Sequence, residues 1–107
     1  MASGEQVQYV ILLPLRFNDG RQVPPGLFIT TYSELADEFG GVTFDSMEVT
    51  GIWIHEGVRY EDRHRRILVT APDTPEAESF LRDYKERLKQ RFEQLEIWVE
   101  IHRIRLL

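Results

Sequence analysis

The chain has 107 residues, of which 42% are hydrophobic and 29% charged, with no cysteine and a formal net charge of −5. This length suits one domain with a core of its own, and the composition excludes a disordered chain. The missing cysteines exclude disulfides, thiolate metal sites and cysteine nucleophiles, and the acidic balance excludes a uniformly basic nucleic-acid surface.

Residues 1–6 are small and polar and are expected to form a flexible N-terminal tail, leaving residues 7–107 as a single domain. Residues 7–17 predict the first strand. Val7, Tyr9, Ile11, Leu13, Leu15 and Phe17 alternate onto one face, while Val10 and Leu12 make the other face apolar too, as in a central strand. Pro14 removes a ladder donor, so a bulge or the end of regular pairing is expected there.

After the Asn18-Asp19-Gly20 turn signal, Pro25 is placed to open a helix that carries Phe28, Tyr32, Leu35, Ala36 and Phe39 on one face and stops at Gly40-Gly41. Thr31-x-x-Glu34 has the form of a capping box and offers a later start. Residues 42–44 predict a short extended piece, interrupted by Asp45-Ser46.

Residues 49–71 then read as a hairpin, two runs of β-branched and aromatic residues around Glu56-Gly57. A two-residue turn places Trp53 opposite Tyr60, and a longer turn loses that pair. Thr74-Pro75 predicts the start of a long helix, with Thr74 as its N-cap and a stripe of Ala77, Phe80, Leu81, Tyr84, Leu88, Phe92 and Leu95. Residues 96–107 predict the last strand, at an edge or a subunit boundary.

The order β-α-β-β-α-β predicts an α+β, ferredoxin-like fold: a four-stranded antiparallel sheet of order 4-1-3-2 with both helices on one face. The other face is left bare. Trp53 and Trp98 each share a strand face with a histidine, His55 and His102, and Tyr60 joins the first pair. These five residues are the candidate ligand or dimer surface. A second copy of the chain, a small-molecule ligand, or solvent over scattered aromatics would each account for them, and the homodimer is favoured.

Catalytic candidates are His55, His64 and Glu61, because imidazoles and a carboxylate crowd the hairpin. No zincin spacing accompanies them, so neither a metal nor a cofactor is expected. Arg59, Arg63, Arg65 and Arg66 form the basic cluster of the chain; a solvated strand end paired with Glu56, Glu61 and Asp62 is the favoured reading, and Arg63, Arg65 and Arg66 could instead face RNA. The strand lacks the aromatic-glycine pattern of RNA-stacking sheets, which argues against nucleic acid as a partner. The longest apolar run is too short to span a bilayer and no signal peptide is recognisable, so a cytoplasmic, non-membrane protein is expected.

The sequence F-G-G at residues 39–41, G-I-W at 51–53, Gly57 and Glu61-Asp62 resembles small bacterial proteins that carry a glycine-tryptophan strand, a glycine turn and an acidic residue. The resemblance spans residues 9–104 and implies a ferredoxin-like fold with no established activity. The wider superfamily of dimeric α+β barrels includes heme-degrading and cofactor-free monooxygenases. Acylphosphatases share the topology, but their glycine-rich, arginine-bearing loop after the first strand has no counterpart here. The expectation is therefore a non-enzymatic binding or accessory module that dimerises through its sheet. The alternatives are a small-substrate enzyme of monooxygenase or isomerase type and an RNA-binding module.

Overall fold

The computed structural model of the chain describes residues 5–107. Its elements are β1 (Glu5–Pro14), α1 (Pro25–Phe39), β2 (Thr43–Phe44), β3 (Val49–His55), β4 (Val58–Pro72), α2 (Pro75–Arg91) and β5 (Trp98–Arg105). Most of the expected tail, residues 1–4, lies outside the described residues, while Glu5 and Gln6 open β1.

The architecture is α+β and ferredoxin-like, with two helices and an antiparallel sheet of five strands. The sheet runs β2-β4-β1-β5, and β3 also pairs with β4. The expected count of four strands is corrected by the short piece after α1. Thr43 and Phe44 pair with Leu68 and Ile67 of β4, and β3 resumes at Val49 opposite His64. One edge strand is thus broken in two by residues 45–48.

The break is held in place by arginines. Arg66 meets the Asp45 carboxylate at 2.7 Å, Arg65 donates to the carbonyls of Asp45 and Ser46, and Arg63 lies 3.4 Å from Glu48. β4 runs straight past the interruption.

Odd-numbered residues of β1 and β4 form the core face. Val7, Tyr9, Ile11, Leu13, Ile67, Val69 and Ala71 are buried beneath Phe28 and Leu35 of α1 and Leu81, Tyr84 and Leu88 of α2. Each fully buried Leu, Ile or Phe side chain contributes about 1.5–3 kcal/mol. Pro14 ends the strand, as its missing donor requires.

The helix boundaries follow their capping chemistry. Thr74 accepts from the Ala77 N–H, Pro75 occupies the first turn, and Glu76 and Glu78 sit at the positive end of the dipole. Gly40 closes α1 with φ 83°, a conformation that a Cβ makes costly. α2 is shorter than its apolar stripe suggested. It ends at Arg91 with Phe92 as cap, Glu93 turns with φ 54°, and Leu95 is left 92% exposed. β5 accordingly starts at Trp98, two residues later than expected.

Thr31 does not cap a helix. It is fully buried within α1, donates to the Leu27 carbonyl at 2.8 Å, and accepts from Arg91 at 2.8 Å. Its expected box partner Glu34 instead accepts from the Tyr84 hydroxyl at 2.8 Å and pairs with Arg91 at 2.7 Å and Arg87 at 3.2 Å. This polar network joins the two helices.

Burial alone would raise the Glu34 carboxyl. The Tyr84 and Arg91 hydrogen bonds and the nearby guanidinium charges outweigh it, leaving the carboxyl below its ordinary 4.5. Burial and the Glu34 carboxylate push the Tyr84 phenol up to about 12. A carboxyl lowered in the folded state stabilises the fold above its unfolded pKa, and the gain is lost as pH falls through the folded value. Glu34→Gln should therefore unfold at lower urea than the parent at neutral pH, and the gap should narrow as the solution is taken below 4.5. A gap of constant size in urea titrations across that range would mean that Glu34 is not charged in the network.

Candidate functional site

The bare face and the hairpin arm make up the candidate site. The β1 ladder with β4 stops at Pro14 opposite His64. Residues 58–62 of β4 therefore pair with β3 alone, and the hairpin overhangs the body by roughly 17 Å at ~3.3 Å per residue. A two-stranded arm of this kind is marginal in water without further cover.

The arm turns at Glu56-Gly57, both with positive φ (51° and 75°), the backbone of a type I′ turn. That geometry sets the register, and Trp53 stands opposite Tyr60 as the two-residue turn requires. Their rings stack with centroids 4.5 Å apart at 18°, and the Trp53 indole donates to the Asp62 carboxylate at 2.6 Å. Trp53 remains 48% exposed and Tyr60 41%. On the reverse of the arm, Ile52 and Ile54 are 55% and 72% exposed. Both faces of the arm expose large apolar side chains.

Both indoles lie on the side away from the helices. Trp98 is opposite Leu12 of β1 and is 60% exposed. It begins a row along β5 in which its indole N–H and the His102 ring both bond the Glu100 carboxylate, the latter at 2.7 Å. These two hydrogen bonds hold the Glu100 carboxyl below its ordinary value. The structure therefore separates the five surface candidates into two groups, Trp53–His55–Tyr60 on the arm and Trp98–His102 on the far edge strand.

An open concavity of about 1950 Å³ connects the two groups around the end of β1, with Leu12, Pro14, Ile29, Trp53, Tyr60 and Trp98 among its walls. Small-molecule pockets are usually ~300–1,000 Å³ and enclose most of their ligand. This one is larger and open.

The catalytic candidates do not converge. His55 is at the tip of the arm beside Glu56, 3.6 Å away. His64 is six positions along β4 from Val58, the cross-strand partner of His55, which is roughly 20 Å at ~3.3 Å per residue. Glu61 is opposite Ile52, on the reverse face. Among the described residues, no three His, Asp or Glu side chains are grouped to hold a metal ion. The arginines also divide. Arg66 faces the bare side, Arg63 and Arg65 the helix side, and all three bond residues of the β2–β3 connection.

No helix is long and apolar enough to cross a membrane, among the described residues.

Solved structures share this fold, among them the following two. A phage SAM lyase in complex with S-methyl-5′-thioadenosine superposes with a TM-score of 0.69, at 13% identity, over 99% of this chain and 86% of that one. The divalent cation tolerance protein Cut A1 from Thermus thermophilus superposes with a TM-score of 0.63, at 22% identity, over 94% of this chain and 84% of that one. No protein-family model matches the chain, and no curated protein does. At these identities the likeness is one of fold, and fold alone does not carry function.

Sequence reasoning missed the Glu34–Tyr84–Arg91 network, in which Glu34 lies 50 or more positions from both of its partners. It also missed the overhang. The signal for the overhang was the length mismatch between β1, ended by Pro14, and β4, which runs for 15 residues.

Proposed function

We propose that the chain is a non-enzymatic binding or accessory module that works as a homodimer, with a second copy covering the bare sheet face and the overhanging arm. The reading fits a reducing, cytoplasmic setting, in keeping with a sequence free of cysteine. The observation that carries it is the arm itself, two strands with large apolar side chains exposed on both faces. At their observed exposures, Trp53, Tyr60 and Trp98 offer on the order of 300 Å² of side-chain surface on the bare side, taking ~150–250 Å² for an aromatic side chain. A standard interface takes ~800 Å² from each partner, so these three rings supply a large share of one side of it. Unpaired backbone along residues 58–62 adds donors and acceptors that a neighbouring chain can satisfy.

The occupant favoured over a small ligand is another chain, because the concavity is too wide and open to enclose a small molecule. The acid–base reading finds no cluster of His55, His64 and Glu61 to work with. Sedimentation velocity at micromolar concentration tests the proposal. The expected result is a species of twice the 12.6 kDa chain mass, and a single species of one chain mass would overturn it.

A further inference from the structure

His64 is the one histidine of the bare face that sits in the middle of the sheet. Its cross-strand neighbours are Pro14 on β1 and Val49 on β3, both apolar. The ring is half-buried. Its Nδ1 is sealed from solvent and has no hydrogen-bond partner. An imidazolium needs an acceptor for both of its N–H groups, whereas a neutral ring can leave one nitrogen bare. This position therefore tolerates the neutral ring and penalises the charged one.

From this placement we infer that His64 makes assembly of two copies acid-sensitive: the face closes over a neutral His64 and is opened when the ring takes a proton. The inference rests on the self-association proposed above and specifies how that same surface is regulated.

The charged groups around the ring do not reverse the sign. On its own strand, Asp62 and Arg66 share its face. The Asp62 carboxylate is engaged by the Trp53 indole, and Arg66 is paired with Asp45. From β1 and β3 come only Leu12, Pro14, Val49 and Gly51, none of them charged. Glu48, Arg16, Glu96 and Glu100 line the same concavity from the β2–β3 connection, the loop after β1, the segment before β5 and β5 itself. Glu48 is paired with Arg63, Glu96 with Lys85, and Glu100 with Trp98 and His102. Arg16 donates to the Gly20 carbonyl.

Burial is the largest influence on His64 and lowers it from the ordinary 6.5, while the Asp62 charge works in the opposite sense and is the smaller effect. A second copy laid over the face removes more water from the ring and lowers it further. A group with a lower pKa in the assembled state opposes assembly as pH falls through its free-subunit value. Above that value its contribution to assembly is complete.

Sedimentation of the full chain at about pH 8 and about pH 5.5, bracketing the range in which histidine titrates, reads the effect. The dissociation constant should rise by up to ~10-fold per subunit for each pH unit between the free and assembled pKa values. His64→Gln, which cannot take the proton, should remove most of that rise. In parallel, the His64 imidazole signal followed by NMR should titrate at a lower pH in the assembled protein than in the same chain diluted to the monomer. This second reading stands even if the glutamine variant does not fold.

A protein monomeric at both pH values overturns the self-association reading and this inference together. A protein equally dimeric at both values leaves the first standing and overturns only the second. A rise retained in full by His64→Gln, or the same titration midpoint in both assembly states, also overturns the inference.

Discussion

Replacing Phe92 by alanine should destabilise the fold by about 3–5 kcal/mol, the largest single effect expected in this chain. The ring is fully buried and lies 5.3 Å from Phe28, so it ties the end of α2 to the start of α1. It sits at the helix cap, immediately before Glu93 turns with φ 54°. Removing it leaves a cavity where the backbone cannot slide inward to fill the space, because the capping turn and the return to β5 fix its path. With a urea m-value of ~2 kcal/mol per molar, the midpoint should fall by roughly 2 M at unchanged slope. Measured at one protein concentration, a shift below a quarter of that would show that the helix end is not a packing anchor.

The second large effect belongs to the arm. Trp53→Ala should weaken self-association by roughly 30-fold or more, the range of a central aromatic anchor costing ~2 kcal/mol or above. The substitution removes an indole that is half exposed and stacked on Tyr60. It also removes the hydrogen bond to Asp62, so a carboxylate formerly engaged by the indole faces the seam. The core is untouched, since Trp53 projects from an overhang that the helices do not reach. Far-UV circular dichroism should keep the parent profile while the sedimentation coefficient falls. Unchanged association would remove the arm from the interface. An unfolded variant would show instead that the overhang supports the domain beneath it.

What the sequence disclosed and what it hid divide along the reach of each interaction. Thr74-Pro75, Gly40 and Glu56-Gly57 act within three or four residues, and each boundary falls where its chemistry places it. Trp53 opposite Tyr60 follows from the turn and is local too. Leu95 misled because it continues the spacing of the α2 stripe beyond a helix end marked by neither glycine nor proline. Thr31 and Glu34 misled because they mimic a cap, while their partners Tyr84 and Arg91 come from the far helix. The arginine cluster read as a solvated strand end paired with Glu56, Glu61 and Asp62, yet Arg63, Arg65 and Arg66 bond the connection between β2 and β3. Alternation likewise assigns the bare side to both Trp98 and Trp53, but the distance between them depends on which strands intervene.

The interruption at residues 45–48 sets a rule for altering the arm. Between Phe44 opposite Ile67 and Val49 opposite His64, four residues span a gap that the facing strand crosses in two. The surplus is even, so odd-numbered positions point the same way before and after it, and Trp53 keeps the orientation of Thr43. The Glu56-Gly57 turn independently fixes β3 against β4, so a residue added to or removed from that detour is taken up within it. Trp53 and His55 then stay outward while Thr43 and Phe44 keep their own pairing with β4.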